Sequence, residues 1–257
     1  MDGAWGTAVL IGGPAASGKT TTARTLARAR GLRWYSTDAH TWSHRARAVA
    51  RGLHDDADPS PGTFDRGPLI REDLDHLARR RPAVGVIVEG ALVAPDFAPL
   101  DRSVWLMPSV DEQRRRLVER SGSPTIDHGL LHGHALICDQ LTGTSENVIH
   151  VDGQTPQETV DAVEAALAGA LAALPSARTT AERQQVIRFG NRSLADQLGD
   201  SIAHGWIDPE LDRRPRSFDC ECGEPGCTAV VQLRPGEAIA VVEHPAGAIR
   251  ADAHCAD

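Results

Sequence analysis

The eight residues from Gly13 to Thr20 have the clearest capacity for chemistry in this sequence. Their order, G-P-A-A-S-G-K-T, fits the pattern G-x-x-x-x-G-K-[ST], and they follow an apolar run and precede a helical stretch at residues 20–30. Glycines in such a turn let successive backbone N–H groups converge on a phosphate group, and the helix N-terminus adds the positive end of its dipole. We therefore predict that this loop binds the phosphates of a nucleotide, against the alternative of a glycine-rich turn that binds nothing.

The residues of the loop have separate predicted roles. Lys19 is expected to bridge the β- and γ-phosphates, and the Thr20 hydroxyl is expected to coordinate Mg²⁺. Lys19 is also the only lysine of the chain, so the guanine-recognition motif N-K-x-D cannot form and ATP is favoured over GTP. The predicted nucleotide-binding residues are Gly13, Ala15, Ala16, Ser17, Gly18, Lys19, Thr20 and Thr21.

Two carboxylates follow apolar runs, at positions where ligands bind in open α/β sheets. Asp38 is expected at the end of a strand neighbouring the phosphate loop, where it could accept the proton of an attacking hydroxyl or help to hold magnesium. Its alternative role is to cap a helix starting near Ala39. Glu89 ends the run V-G-V-I-V-E and could steer Mg²⁺ or water, with a plain surface glutamate as the alternative.

Arginines follow the fourth apolar run. Arg116 and Arg120 are four residues apart and should share one face of a helix, where they could clamp transferring phosphates. Arg114 and Arg115 belong to the same cluster. Most arginines on helices are solvated or in ordinary ion pairs, and this alternative stays open for each of them.

The elements that must position these residues can be read from apolar runs and helix caps. Short apolar runs at residues 7–11, 32–35, 84–88, 104–107 and 148–151 suit strands buried on both faces of a parallel sheet. Helical stretches lie between them, and Ser109 with Glu112 and Thr155 with Glu158 match the capping-box spacing. This alternation predicts an α/β fold.

These residues resemble the P-loop small-molecule kinases, a group that includes uridine, gluconate and shikimate kinases and some antibiotic phosphotransferases. The match spans roughly residues 5–174, and the loop is placed between a strand and a helix as the motif requires. It is carried by the loop, S-T-D at 36–38, I-V-E-G at 87–90, R-L-V-E-R at 116–120 and V-D-G at 151–153. The resemblance implies a P-loop NTPase sandwich of three layers with a five-stranded parallel sheet.

The resemblance also implies an activity, the transfer of the γ-phosphoryl group of ATP to a hydroxyl of a metabolite, nucleoside or antibiotic. It implies Asp38 as the base, Glu89 as the acid of the magnesium shell, and Arg116 and Arg120 as part of a mobile lid; whether Asp38 or Glu89 is the base stays open. The acceptor would be held by the insertion at residues 41–81, which does not identify it. A second hypothesis is an ATP-binding regulatory protein that performs no phosphotransfer.

Three thiols crowd together in the C-terminal part, at Cys220, Cys222 and Cys227. Thiolates so close repel unless a cation or oxidation relieves them, which favours structural zinc, with reduced free thiols as the alternative. The candidates for a fourth ligand are His254, His244 and Cys255. The stretch resembles a small cysteine-rich module of unknown role found in some bacterial proteins, and this resemblance implies His254 as the ligand.

Composition limits the partners and suggests the domain organisation. A net charge of −8 and a pI near 5.7 argue against nucleic acid as a partner. No leader or apolar stretch long enough for a membrane span is present, so we expect a cytoplasmic protein with a small-molecule substrate and no membrane association. We predict a kinase domain at 1–174, a linker at 175–186, and a helical and cysteine-rich module at 187–257 that could contact a protein partner.

Overall fold

A five-stranded parallel sheet forms the centre of the computed structural model, which describes residues 4–58, 64–95, 99–122, 124–126, 128–142, 147–206 and 213–252. The spatial order of the strands is β2-β3-β1-β4-β5. The strands are β1 (Ala8–Gly12), β2 (Arg33–Ser36), β3 (Val86–Glu89), β4 (Ser103–Met107) and β5 (Val148–His150). Each strand falls on one of the five predicted apolar runs, so the predicted α/β fold with five parallel strands is confirmed.

Helices cover both faces of this sheet. Within the described residues the α-helices are α1 (Lys19–Arg30), α2 (Thr41–Ala50), α3 (Gly67–Arg79), α4 (Val110–Ser121), α5 (His128–Gln140), α6 (Pro156–Ala166), α7 (Ala168–Ala172), α8 (Thr180–Ala203) and α9 (Pro235–Glu243), and α9 packs on α8 rather than on the sheet. No helix within the described residues is both long enough and apolar enough to cross a membrane.

Alternating residues of the central strands bury their side chains on opposite faces. Val9 and Ile11 of β1 pack with Leu26 of α1 and Val163 of α6 on one face. Leu10 of the same strand belongs to a second core on the other face. That core includes Tyr35, Ile70, Leu74 and Val88. The sheet thus lies between two helical layers, which makes a three-layer α/β sandwich.

The region after residue 174 is built around the long helix α8. This helix crosses the predicted boundary between linker and C-terminal module, while the division at residues 174 and 187 itself stays a prediction. Later in the chain come an antiparallel pair of strands, β6 (Arg216–Asp219) and β7 (Val230–Leu233), and helix α9. Leu198 of α8, Phe218 of β6 and Val242 of α9 share one apolar cluster. This docking on α8 supplies the buried area that a segment so short could not provide alone.

Charged groups attach the C-terminal hairpin to the helix that follows the phosphate loop. Arg24 of α1 approaches Asp219 with two nitrogens, Nε at 2.9 Å from Oδ2 and Nη2 at 2.8 Å from Oδ1. Arg28 Nη1 lies 3.1 Å from Oδ1 of the same carboxylate. Asn191 of α8 donates to the Asp219 carbonyl at 2.8 Å and accepts from its N–H at 3.0 Å. Forked arginine contacts of this kind fix orientation as well as contribute free energy.

Helix α8 can approach the edge strand β2 closely because a glycine faces the strand. A Cβ atom on Gly190 would lie 2.7 Å from Cε3 of Trp34, closer than real contacts allow.

We therefore expect Gly190→Ala to lower the free energy of unfolding by about 1–3 kcal/mol, the usual cost of overpacking. Gly133→Ala on α5, where no atom lies within 4 Å of the added Cβ, should instead raise it by about 0.5–1 kcal/mol. Urea denaturation measures both, and equal effects at the two sites would contradict this packing.

Candidate nucleotide site and cysteine cluster

The phosphate loop adopts a conformation that leaves backbone N–H groups free for a ligand. Gly13 and Gly18 have φ values of 132° and 96°, and Ala16 has φ 60°. The first helical turn has no side-chain cap at Gly18, and the opening N–H groups of a helix have no acceptor within it. A Cβ on Gly13 would lie 2.3 Å from the Leu106 carbonyl oxygen, so this position requires glycine for space as well as for its φ.

Lys19 is buried and folds back onto its own loop. Its Nζ donates to the carbonyl oxygen of Pro14 at 2.7 Å, and its side chain is largely removed from solvent. Burial lowers the pKa of Lys19, whereas the negative charges of Glu89 and Asp38 act to raise it and Arg120 adds to the decrease. An ammonium group in this position gains from an added negative ligand such as a phosphate.

Glu89 lies at the centre of the carboxyl edge of the sheet. In register it stands opposite Ile11 of β1 and Ser36 of β2. The Thr20 hydroxyl donates to its Oε2 at 3.2 Å, whereas its buried Oε1 has no hydrogen-bond partner among the described residues. Burial raises the pKa of Glu89 and the nearby charge of Asp38 adds to this effect, while Lys19 opposes it.

Asp38 projects from the end of the edge strand β2 and lines the same cavity as the loop. In the sheet β3 separates β2 from β1, yet the carboxyl end of β2 lies beside the phosphate loop, since Ser36 and Asp38 line one cavity with it. The Asp38 carboxylate is exposed and accepts a long hydrogen bond from the Thr37 hydroxyl at 3.4 Å. The N–H of Ala39 bonds to the Ser36 hydroxyl instead, so the capping role considered for Asp38 is absent here.

Buried polar groups of the insertion at residues 41–81 support the backbone beside Asp38. Arg66 is buried, and its guanidinium donates to the carbonyl oxygen of Thr37 through Nη2 and to His44 Nδ1 through Nε at 3.1 Å. His44 Nδ1 therefore accepts, and His44 Nε2 donates to Asp73 Oδ2 at 2.8 Å. This chain of contacts holds the turn from which Asp38 projects.

Two predicted arginines of α4 face the loop. Arg116 Nη2 donates to the Val151 carbonyl at 2.8 Å, its Nε lies 2.6 Å from Glu112, and its Nη1 is 3.5 Å from two loop carbonyls. Arg120 lines the cavity with Arg116, as expected for residues four apart on a helix. Arg115, by contrast, is itself exposed and pairs with Glu112 and with the exposed Glu119, which fits the ordinary ion-pair alternative.

The cavity over the loop has a volume of about 620 Å³. It brings together Lys19, Asp38, Arg116 and Arg120 on its wall, with Glu89 behind Thr20. The lining residues are Ala15, Ala16, Ser17, Gly18, Lys19, Thr20, Thr21, Trp34, Ser36, Asp38, Ala39, Arg116, Arg120, Leu194 and Gln197. Of the predicted nucleotide-binding residues, only Gly13 stands outside this lining, and it shapes the turn instead.

Sequence reasoning missed several residues of this site. Leu194 and Gln197 of α8 form a wall of the cavity together with Trp34, although their helix was assigned to a separate module. Gln113 is fully buried, and its Nε2 donates to the Ala15 carbonyl at 3.1 Å. A buried amide in the arginine-rich stretch has no recognisable spacing, so no signal marked it.

The site fits a phosphate group and a magnesium ion. The buried Ser17 hydroxyl oxygen and Glu89 Oε1 both lack partners among the described residues, and such buried polar atoms normally have one. Thr20 and Glu89 supply hard oxygen atoms of the kind that Mg²⁺ prefers. A smaller cavity of about 250 Å³ adjoins the first and shares Ser17, Gly18 and Arg116 with it. The two cavities together form a groove that runs past the helix N-terminus.

The three cysteines form a compact cluster. The Sγ atoms of Cys220, Cys222 and Cys227 lie within 4.8 Å of one another and are not joined by disulfides. Backbone N–H groups point at two of the sulfur atoms, Ala251 N at 3.4 Å from Cys220 and Glu224 N at 3.5 Å from Cys222. Such a set of sulfur ligands fits zinc.

Two of the three candidates for a fourth ligand to the cysteine cluster, His254 and Cys255, lie outside the described residues. His244 is not part of the described cluster, and its Nδ1 accepts from the Ala246 N–H at 3.2 Å. The chain near Ala251 does pass beside Cys220, three residues before His254.

The chain matches no protein-family model and no curated protein sequence. Among solved structures, it is similar to a gluconokinase from Sinorhizobium meliloti 1021, with 22% identity, 64% of this chain and 93% of that chain covered, and a TM-score of 0.44. It is also similar to an unliganded sugar kinase from Janibacter sp. HTCC2649, with 22% identity, 66% and 98% covered, and a TM-score of 0.46.

The buried carboxyl group of Glu89 should make the free energy of unfolding depend on pH. Its pKa in the folded chain lies above the ordinary value of 4.5, so above pH 4.5 the folded chain keeps a proton that the unfolded chain loses. The free energy of unfolding should therefore fall as pH rises through this window. Glu89→Gln removes this loss, and its melting temperature should exceed that of the wild type by an amount that grows with pH.

Melting temperatures between pH 4.5 and 8 measure this difference. Glu119→Gln, at an exposed position of α4, is the matched control and should keep the wild-type profile. Parallel curves for Glu89→Gln and the wild type would contradict the inferred burial of a charge.

Proposed function

We propose that this protein is an ATP-dependent phosphotransferase that moves the γ-phosphoryl group of ATP to a hydroxyl of a small molecule, a metabolite, nucleoside or antibiotic. The observation that carries the proposal is the single cavity in which a phosphate loop faces both an exposed carboxylate, Asp38, and two arginines, Arg116 and Arg120. Binding a nucleotide needs only the loop. Transfer to a hydroxyl also uses a base and cations around the transferred group, and the carboxylate and the two arginines in the lining support these roles.

The proposed reaction uses these residues as follows. The acceptor hydroxyl oxygen attacks the γ-phosphorus, the bond to the β–γ bridging oxygen breaks, and ADP leaves with the electron pair. Asp38 takes the hydroxyl proton, because it lies at the cavity wall without a strong internal partner. Lys19 exchanges its contact with Pro14 for the β- and γ-phosphates, and Arg116 and Arg120 neutralise charge on the transferred group.

Glu89 suits a different role from Asp38. It is buried and bonded to the Thr20 hydroxyl, so an acceptor has little access to it, whereas its free Oε1 can bind a water molecule of a metal shell. Thr20 and Glu89 would hold Mg²⁺, which supplies charge neutralisation between the phosphates. The ribose and base would lie in the adjoining groove beside Gln154 and Pro156.

The competing proposal is a regulatory protein that binds ATP without transferring phosphate. Its loop would need Lys19 and Thr20 but no base, so the two proposals differ in the role of Asp38. A cytoplasmic location and a protein partner for the C-terminal part stay predictions alongside either one.

Kinetics of two variants test the proposed transfer. An ATP-consumption screen over nucleosides, sugars and aminoglycoside-type compounds should find an acceptor that stimulates turnover. Lys19→Ala should abolish it, and Asp38→Asn should lower kcat by about 10²–10⁴-fold, the usual contribution of a general base, with ATP affinity kept. Asp161→Asn, at an exposed position of α6 bonded to Gln157, is the matched control and should keep wild-type rates.

Three outcomes would count against the transfer proposal. The first is ATP binding with no acceptor that stimulates turnover, which favours the regulatory protein. The second is full activity in Asp38→Asn, which removes the base assigned here. The third is turnover that persists in Lys19→Ala, which shows that a contaminating enzyme or another site consumes the ATP.

We also propose that the cysteine cluster holds a structural zinc ion, with His254 as the fourth ligand. The support is the group of three sulfur atoms and the approach of Ala251 to Cys220. The ion would link the hairpin that carries Asp219 to the last residues of the chain, because ligands come from both. A structural zinc site contributes folding free energy directly.

Metal removal tests the zinc proposal. Elemental analysis should give one zinc per chain, and a strong chelator or Cys222→Ser should lower the melting temperature by more than about 5 °C, since each kcal/mol shifts it by about 2–4 °C in a chain of this size. Cys138→Ser, at an exposed cysteine outside the cluster, should have no such effect. Zinc-free protein with an unchanged melting temperature would disprove the site.

A further inference from the structure

A second large cavity lies on the other side of α8 from the nucleotide cavity and shares no lining residue with it. Its volume is about 600 Å³. Strand β2, the segment after α3 and one face of α8 form its walls. Five arginines line it, namely Arg33, Arg80, Arg81, Arg188 and Arg192.

Arg33 at the base of this cavity is a buried cation without a counter-charge. It is only 1% exposed. Its Nη1 and Nη2 donate to the carbonyls of Leu77 and Pro82 at 3.4 and 3.1 Å, and its Nε has no partner among the described residues. Burial and the charge of Arg80 lower the pKa of Arg33 to about 10. Buried charges in proteins are normally paired, and here the described chain supplies no carboxylate to Arg33.

The remaining charges do not balance the arginines. Asp196 is the only carboxylate in the lining, and it lies 3.7 Å from Arg192. Glu221 interacts with Arg188 from outside the cavity, and Asp200 and Glu243 act on Asp196. Five guanidinium groups against one lining carboxylate leave a strongly positive cavity.

Aromatic rings shape the interior. The Arg33 and Arg80 guanidinium carbons lie 5.6 and 5.4 Å from the centre of the Phe189 ring. His40 lies 6.3 Å from the same ring, and burial lowers its pKa to about 4, so it adds no charge at neutral pH. Cation–π contacts of this kind hold arginines in place without neutralising them, so the positive charges of Arg33 and Arg80 stay uncompensated within the described lining.

We propose that this cavity binds a phosphorylated small molecule, at a site separate from the phosphate loop. Arginine forks match phosphate oxygens, and several of them around one cavity suit a ligand with at least two negative charges. The volume exceeds the space that one phosphate needs, so the ligand carries an organic part that lies against Phe189.

Calorimetric titration with sodium pyrophosphate, without magnesium, tests the site. Wild type and Lys19→Ala should both show saturable binding, because the loop is not required. Arg80→Ala with Arg188→Ala, made in the wild type and in Lys19→Ala, should weaken by at least tenfold the binding that Lys19→Ala retains. The control pair Arg51→Ala with Arg234→Ala removes two exposed arginines elsewhere and should retain it.

Any of three results would overturn the assignment. One is loss of binding in Lys19→Ala with retention in the Arg80 and Arg188 double variant, which places the anion on the loop. Another is equally weakened pyrophosphate binding in the control pair, which would attribute the loss to the net charge of the protein rather than to this cavity. The third is tighter binding of citrate than of pyrophosphate, which excludes phosphate as the preferred group.

Arg33→Met gives a second, independent measurement. It removes the buried charge while keeping much of the volume, so without anion its melting temperature should be equal to or above that of the wild type. In the Lys19→Ala background, pyrophosphate should raise the melting temperature by mass action, and adding Arg33→Met should abolish this shift. A full shift in the variant, or an anion-free melting temperature well below wild type, would contradict the uncompensated charge on which the proposal stands.

Discussion

Glu89 and Lys19 are both nearly removed from solvent at the carboxyl edge of the sheet, yet they are not bonded to each other. Lys19 donates to the Pro14 carbonyl and Glu89 accepts from Thr20, with one carboxylate oxygen left unpartnered in the described chain. Burial disfavours the charged form of each group, and their mutual attraction offsets this only in part. The fold tolerates the cost because the end of β3 fixes Glu89 and the start of α1 fixes Lys19. A phosphate beside Lys19 and a hydrated cation beside Glu89 would relieve it.

Helix α8 connects this edge to the rest of the molecule. One part of it packs against Trp34 and lines the nucleotide cavity with Leu194 and Gln197. Its other surfaces carry the C-terminal cluster around Leu198 and the walls of the arginine cavity. The C-terminal region is therefore joined to the nucleotide site through a shared helix, and the contacts of Arg24 and Arg28 with Asp219 add a second connection through α1.

The local features of the fold were predictable from the sequence, and the long-range ones were not. The loop, the five strands and the caps at Ser109 and Thr155 follow from residue types within a few positions, and the structure has each of them. The order of strands depends on contacts between distant segments, so the position of β3 between β2 and β1 was not predicted. The pair of strands around Cys220 also went unpredicted, because Arg216–Asp219 has few apolar residues and is stabilised by packing on α8.

The contrast between Asp38 and Arg33 shows how much the same strand can differ along its length. Both belong to the β2 segment, but Asp38 projects into the nucleotide cavity after the strand's carboxyl end, whereas Arg33 begins the strand and faces the arginine cavity. Residues 33–36 form one short strand that pairs with β3 along its whole length. The two ends of this strand therefore reach two different cavities without a change in chain direction. A ligand at Arg33 would thus contact the strand that presents Asp38 and the helix that closes the nucleotide cavity. Since α8, β2 and the turn after β2 contribute to the walls of both cavities, these segments connect the two sites directly.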